Sequence, residues 1–531
     1  MDDFAGTASM IRLILRRDRI IIPLLVIFMV LFVAFVAASF INLYSDEAVR
    51  MAFYLQMKNN PTVYSLLGSV LDPSIGGLTA WRVGVGASLL IGLISIFLMV
   101  RHTRSEERKG RLELINSAKV GRQAVLSAAL ITTFGVNLII GVLMGLGLVA
   151  QGLDAYSSLV LGMSLAAFGC LFAAITGVAV QLTESSGDAR YLMAVLLVVF
   201  FIVRIIGYDE SDYAWLSWLS PYGWVHHIGP FDGNEIWIFS IFLIFIAALT
   251  ALAYWLSSLR DLGAGIITQR PGPSRASNNL QSSLALAWRL HRGMLLFWII
   301  IFVLMGTMLG FTAQTITDMI TANPQFVNLI IQLGGKAGLI DSYFTMMLAF
   351  LSEIFAFYAI LATLKLQSQE SKKYSEMVLT SSVSRSQWAV SNLVFAVLAP
   401  ALVLIIFALS MGLSYGLITN NLSDIIIRIL GAALVYLPAI WLFTGISMVL
   451  FGLKPRLASL SWVALSVVVV IDLLGEFFDI NQWILNISPF THVPQLLAGD
   501  TIETPLILLI VFAVLLMVMG VWGYQHRDIM G

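Results

Sequence analysis

Twelve apolar runs, at 20–41, 83–100, 125–150, 157–182, 190–207, 236–256, 295–312, 344–363, 388–415, 424–451, 459–474 and 505–524, constrain this chain more than any other feature of its sequence. About 20 apolar residues in helical form cross a hydrocarbon core, and a helix satisfies its own backbone polar groups there. The expected fold is therefore an all-α polytopic membrane protein of twelve transmembrane helices. Composition agrees: 59% of the 531 residues are hydrophobic and only 11% charged, against about a quarter charged in an ordinary soluble chain. Mean hydropathy is +0.91. Soluble enzyme, secreted disulfide scaffold and disordered chain are excluded as classes. The first run is too long for a signal peptide and has no cleavage site behind it, so it reads as a retained span.

Thirty basic and thirty acidic residues cancel, so no global field exists to hold a nucleic acid. The sign asymmetry lies between loops. Segments 1–19, 101–124, 183–190, 257–293, 364–387, 452–458 and 525–531 hold 24 of the thirty Lys and Arg, whereas the alternate segments hold Arg50, Lys58, Arg82 and Lys336. The positive-inside rule then puts both termini in the cytoplasm. The single cysteine, Cys170, lies in an apolar run and reads as a small core residue. The six histidines form no HExxH and no other metal-holding pattern, so no metal and no cofactor are expected in this chain.

The chain also resembles itself. A shift of 263 residues aligns SEERKGRLELINSAKVGR (105–122) with SQESKKYSEMVLTSSVSR (368–385), keeping Glu107/Glu370, Glu113/Glu376 and Arg122/Arg385. Shifts of 267 and 268 align Arg260-Asp261 with Arg527-Asp528 and Ser220-Pro221 with Ser488-Pro489. Six spans per copy is an even number, so the two copies share one orientation, as two parallel six-helix repeats. Expected domains are a first half at 1–256 with a basic amphipathic stretch at 5–19, a cytoplasmic linker at 257–285, and a second half at 286–531. The linker contains QRPGPSRASNN (269–279), rich in turn formers. A second amphipathic stretch, LAWRLHR (286–292), precedes the seventh run. Such stretches suit the membrane interface.

The loop at 101–124 is the most charged part of the chain, and its counterpart is 364–387. Read as a helix, Glu107 and Arg111 stand at i, i+4 beside an apolar seam of Leu112, Ile115 and Ala118. A charged face over an apolar seam is what a rigid contact with a soluble partner needs, and the positive-inside rule alone does not ask for the retained Glu residues. No Walker A loop exists: the only Gly-Lys pair, Gly335-Lys336, is followed by Ala337. Four charges fall inside apolar runs, Arg204, Glu353, Arg428 and Asp472. Such groups are costly in a bilayer and are gate or pathway candidates. Arg204 and Asp472 are related by the 268-residue shift and are expected at matching depth, as a pair between halves. On the outer side, Trp215, Trp218 and Trp224 suit an aromatic belt or a re-entrant hairpin. Gly141/Gly145 and Gly412/Gly416 mark close helix packing.

The loop EERKGRLELINSAKVGR (106–122), the linker RDLGAGIITQRPGP (260–273) with LAWRLHRG (286–293), the Ser-Pro turns and GYQHRD (523–528) resemble the fused permease subunits of ABC-2 type exporters, nearest to the bacterial polyketide and tetronasin-type antibiotic exporters. The resemblance covers essentially the whole chain. It implies a permease in the bacterial plasma membrane that moves hydrophobic or amphipathic small molecules outward. It also implies two copies of a separate ABC ATPase, which would hold the ATP and Mg. The loops would be coupling helices seated on that ATPase through Glu106, Glu107, Gly110, Arg111, Glu113, Arg122, Glu370, Glu376 and Arg385, and the basic stretches would be elbow helices. Lys373-Tyr374 and Ser384 replace Gly110-Arg111 and Gly121 in the second copy, so the two seats are expected to be unequal. Two other readings stay open: a proton-coupled twelve-helix carrier, although its Gly-x-x-x-Asp-Arg loop is missing, and a membrane-embedded enzyme, although no catalytic constellation is present.

Overall fold

The computed structural model describes residues 3–58, 67–107, 120–207, 212–261, 264–267, 280, 282–321, 338–371, 374–477, 481–501 and 504–528. Among these residues twelve helices are long and apolar enough to cross a membrane, and each overlaps one of the twelve apolar runs. Among the described residues there is no strand. The chain divides into two compact units, Met1–Gly272 and Pro273–Gly531, with six of the twelve helices in each.

In the first unit, α1 (Thr7–Arg17) is followed by α2 (Ile21–Leu43), α3 (Glu47–Lys58), α4 (Ile75–His102), the single turn α5 (Arg104–Glu107), α6 (Ala124–Val149), α7 (Ala155–Leu182), α8 (Ser186–Ile206), α9 (Pro221–His227) and α10 (Ile238–Leu259). Helix α7 sits in the middle, 78% buried over its most apolar window against 17% for α10. Its neighbours are α4, α6 and α10. Leu243, Ile244 and Trp255 of α10 stay exposed, which lipid tolerates as it tolerates its own chains. Helices α6 and α7 approach most closely at Gly141 and Gly162, where a Cβ on either would overlap the carbonyl oxygen of the other.

In the second unit, α11 (Ser283–Thr321) leads to α12 (Leu339–Thr363), α13 (Lys365–Ser371), α14 (Tyr374–Leu379), α15 (Arg385–Thr419), α16 (Leu422–Leu434), α17 (Leu437–Leu453), α18 (Leu460–Phe477), α19 (Gln482–Leu485) and α20 (Thr504–His526). An aromatic centre joins α11, α12 and α15, with Phe302 stacked on Phe355 and Phe407 edge-on to Phe302. Gly412 and Gly416 of α15 lie against Ile426 and Leu422 of α16. The tightest seam is α17 on α20, where Gly452 and Gly520 meet main chain to main chain.

The two amphipathic stretches fold differently. In the first unit α1 is a separate helix that buries Met10 and Ile14 against Ala128. It ends at Asp18, whose side chain turns inward. In the second unit LAWRLHR (286–292) is not a separate elbow but the start of the 39-residue α11, which at ~1.5 Å per residue is about 58 Å long, well beyond a bilayer core. No acid stands in LAWRLHR, and His291, fully buried beside Asn392, lies in unbroken helix. The expected linker is also partly structured. Ile266 and Ile267 donate their backbone N–H groups to Gln181 and Leu182, so 264–267 lies back on the first unit, while 269–279 falls outside the described residues.

Gly452→Val places a branched side chain against the Gly520 carbonyl and is expected to cost at least about 1–3 kcal/mol by overpacking, read as a lowered melting temperature of the purified protein. Gly431→Ala, where nothing lies within 4 Å of the added Cβ, is expected to be neutral or stabilising by about 0.5–1 kcal/mol.

Candidate functional site

The charged loop of the first unit is fastened from both ends. Arg104, 1% exposed, donates Nε to Val180 O at 2.5 Å, Nη2 to Ala264 O at 2.9 Å and Nη1 to Glu107 Oε2 at 2.9 Å. Glu107 in turn receives Arg260, from just past α10, at 2.8 Å through Nη1 and 3.2 Å through Nη2. Arg260 Nε reaches Gln181 Oε1 at 2.5 Å. Where the loop rejoins α6, Arg122 Nη2 donates to the main-chain oxygen of the same Arg260 at 2.6 Å. Arg260 is thus a hub that holds the start of the loop by its side chain and the end by its backbone.

The second unit repeats this arrangement. Arg527, just past α20, pairs with Glu370 through Nη1 at 2.8 Å and Nη2 at 2.5 Å. Arg385 Nη1 donates to Arg527 O at 2.9 Å. Gln367 stands where the 263-residue shift places Arg104, and its Nε2 donates to Pro455 O, just past α17, at 2.8 Å. The side chains of Glu107 and Glu370 are 7% and 6% exposed. They face their own bundle, and a charge removed from water this far requires its partner in place. Arg527 also lies over the Phe451 and Tyr524 rings, at 4.8 and 5.1 Å.

The remaining loop residues divide by exposure. Glu106 pairs with Arg17 of α1 at 2.7 Å. Glu376 is half-buried, its neighbour Met377 is 71% exposed, and Arg122 and Arg385 are exposed. Gly110, Arg111 and Glu113 lie outside the described residues. A cavity of about 350 Å³ opens beside the first hub, between Thr103, Glu107, Arg122, Arg260 and Asp261.

Comparison with known proteins shows the family of the chain. The family model described as multidrug efflux system permease Rv1217c, C-terminal domain, matches residues 57–256 and 280–525. The multidrug efflux system permease protein Rv1217c of Mycobacterium tuberculosis (strain ATCC 25618 / H37Rv) is 34% identical over 527 residues, covering 99% of this chain and 96% of that protein. The chain belongs to this family of multidrug efflux permeases. It is a multi-pass membrane transport protein rather than an enzyme.

Within this efflux permease the four intramembrane charges have distinct surroundings. Arg428 of α16 pairs with Asp341 at the start of α12, at 2.9 Å and partly exposed. Asp472 of α18 accepts from the Ser488 hydroxyl at 2.7 Å, and Glu353 of α12 lies near it. Arg204, at the end of α8 and 4% exposed, lies beside Gly68 and His226. The outer Ser-Pro turns act alike: Ser220 donates to Phe200 O of α8 at 2.7 Å, as Ser488 does to Asp472 of α18. Of the outer tryptophans, Trp215 and Trp218 are exposed, and Trp218 stacks on His227 at 4.4 Å. Trp224 departs from the belt expectation. It is 6% exposed, packs edge-on against Phe242, and donates Nε1 to Trp218 O at 2.6 Å, because α9 turns that face into the bundle.

Sequence reasoning missed two features. The repeated Arg-Asp pairs at 260 and 527 were visible, but nothing in the spacing tied them to Glu107 and Glu370. Asp18 is fully buried and receives Arg101 at 2.8 and 2.9 Å, with His102 Nε2 at 3.1 Å. Burial alone would raise its carboxyl, but the Arg101 hydrogen bond and the charges of His102, Arg101 and Arg17 hold it below the usual carboxylate range. In sequence it is one acid among flanking arginines.

A double-mutant cycle on Glu370→Gln and Arg527→Gln checks the hub. Each single change is expected to cost about 2–3 kcal/mol, and the pair to show a coupling of about 1–3 kcal/mol, because the second change removes a charge the first has stranded. Thermal unfolding of the purified protein reads it, and simple additivity contradicts it.

Proposed function

We propose that this efflux permease is the membrane subunit of an ATP-driven ABC-2 type exporter, served by two copies of a separate ATPase, that moves hydrophobic or amphipathic small molecules out of the cell, antibiotics of the polyketide or ionophore type among them. The recurring hub is the observation that carries the reading. A force applied to a soluble loop reaches the spans only if the loop is fixed to them. Here each loop is tied to the residue that ends the last span of its own unit, by a buried bidentate pair and a backbone contact. Both loops are on the side that the basic count assigns to the cytoplasm, where ATP is. Glu107 and Glu370 then position the loops, while Arg122, Arg385, Glu376 and Met377, on the accessible side, contact the partner.

The proton-coupled carrier retains one supporting observation, the approach of two intramembrane carboxyl groups, Glu353 and Asp472. Protonatable acids in spans are the parts from which proton relays are built.

The two readings separate in inside-out vesicles. The purified chain alone is expected to hydrolyse no ATP, and to support ATP-dependent, drug-stimulated uptake once a separate nucleotide-binding subunit is supplied. Drug uptake driven by a proton gradient in vesicles free of ATP contradicts the ATP-driven reading and favours the carrier.

A further inference from the structure

The N-terminal segment of the first unit clasps both ends of the first charged loop. At the loop's start, Arg17 pairs with Glu106 at 2.7 Å and lies 3.1 Å from His102 Nδ1, while Asp18 receives Arg101. At its end, the backbone N–H groups of Gly121 and Gln123 donate to Ala5 O at 2.8 Å and Asp3 O at 2.9 Å. Whatever holds α1 in place therefore holds the loop at both ends. The second unit has no such clasp among its described residues. There the start of α11 is fastened to α15 instead, through Ser283 on Ser391 and His291 on Asn392.

The far side of α1 carries a row of cations. Met10 and Ile14 face the bundle, and Arg12 and Arg16 follow them by two residues each, about 200° around a helix of 3.6 residues per turn. Arg12, Arg16 and, just past the helix, Arg19 are exposed and have no side-chain partner among the described residues. No acid stands between Phe4 and Arg17 to balance them, and Asp18 and Glu106 are already engaged. Like charges at i, i+4 repel, so an anion among them gains their attraction and relieves their repulsion. The row runs between Leu13 and Leu15, both nearly half exposed, and Arg19 leads directly into Ile20, Leu24, Ile27 and Leu31, an exposed stripe at the start of the first span. A nucleic acid or an acidic protein has no use for exposed leucines beside the cations. A lipid, with a phosphate at one end and hydrocarbon at the other, uses both.

We propose that this face of α1 binds the head-group phosphates of anionic phospholipids, with Arg12, Arg16 and Arg19 supplying the charge, and that bound lipid tightens the clasp on the first loop. One loop of the two thereby responds to the charge of the membrane. Its consequence for transport rests on the reading of the loop as the seat of the ATPase, but the lipid site and the clasp are measured on the chain alone, so the two can fail separately.

The test is native mass spectrometry of the purified full chain in detergent, titrated with dioleoyl phosphatidylglycerol and with dioleoyl phosphatidylcholine. An arginine near an anionic surface contributes about fivefold to binding, so the anionic lipid is expected to bind at least about tenfold tighter, and the triple variant Arg12→Gln, Arg16→Gln, Arg19→Gln to lose at least about fivefold of that preference. The triple change to lysine keeps every charge and is expected to keep most of the preference, which separates lost charge from lost fold. Hydrogen exchange in lipid nanodiscs reads the clasp. Phosphatidylglycerol is expected to slow exchange at Gly121 and Gln123 at least about threefold relative to phosphatidylcholine in the parent, but not in the glutamine variant and not at Ser384 and Ser386 of the second loop. Equal affinity for the two lipids overturns the proposal. So does a preference that survives the glutamine variant or is lost equally in the lysine one, displacement of the lipid by an equal concentration of inorganic phosphate, or slowing of both loops alike.

Discussion

A carboxylate and a guanidinium, each drawn out of water and closed on one another, hold the loop end of each unit together. Removing charge from water is costly, and the cost is met only when the partner is in place with its other hydrogen bonds satisfied. In the first unit Glu107, Arg260, Arg104 and Gln181 satisfy one another and the main-chain oxygens of Val180 and Ala264, and Arg122 donates to that of Arg260. The second unit reaches the same result with fewer parts, a glutamine in place of Arg104 and two aromatic rings under Arg527. The ends of the second and sixth spans of a unit are therefore one rigid corner, and the loop between the second and third spans leaves from it.

The spans above this corner are held by a different force. Lipid offers no hydrophobic reward for helix pairing, so close packing must serve. It does so where side chains are absent, at Gly141 on Gly162 and at Gly452 on Gly520. Helices at the rim leave Leu, Ile and Phe outward. Rigid corners below and glycine seams above give each unit elements that can move as bodies, which suits a permease that must expose a path by turns.

The spans were legible in the sequence because a bilayer admits almost nothing but a long apolar helix. The repeated loop was legible because its charges survive a 263-residue shift. What the loop charges touch was not legible. Glu107 and Arg260 are 153 residues apart, and a glutamate on a basic loop reads as solvent-facing until the fold turns it inward. Trp224 misled for a related reason: an outer aromatic suits the interface by composition, and only the short helix Pro221–His227 shows which side it takes. Asp18 was hidden among arginines.

The account stands on the hub as the link between loop and spans, and a charge swap tests that link most directly. In cells that rely on this permease for drug efflux, Arg527→Glu leaves like charges facing in the second unit, and adding Glu370→Arg restores opposite ones. Efflux per permease molecule in the membrane is predicted to be lost in the first variant and to return in substantial part in the second. Full efflux from the like-charge variant would contradict the account.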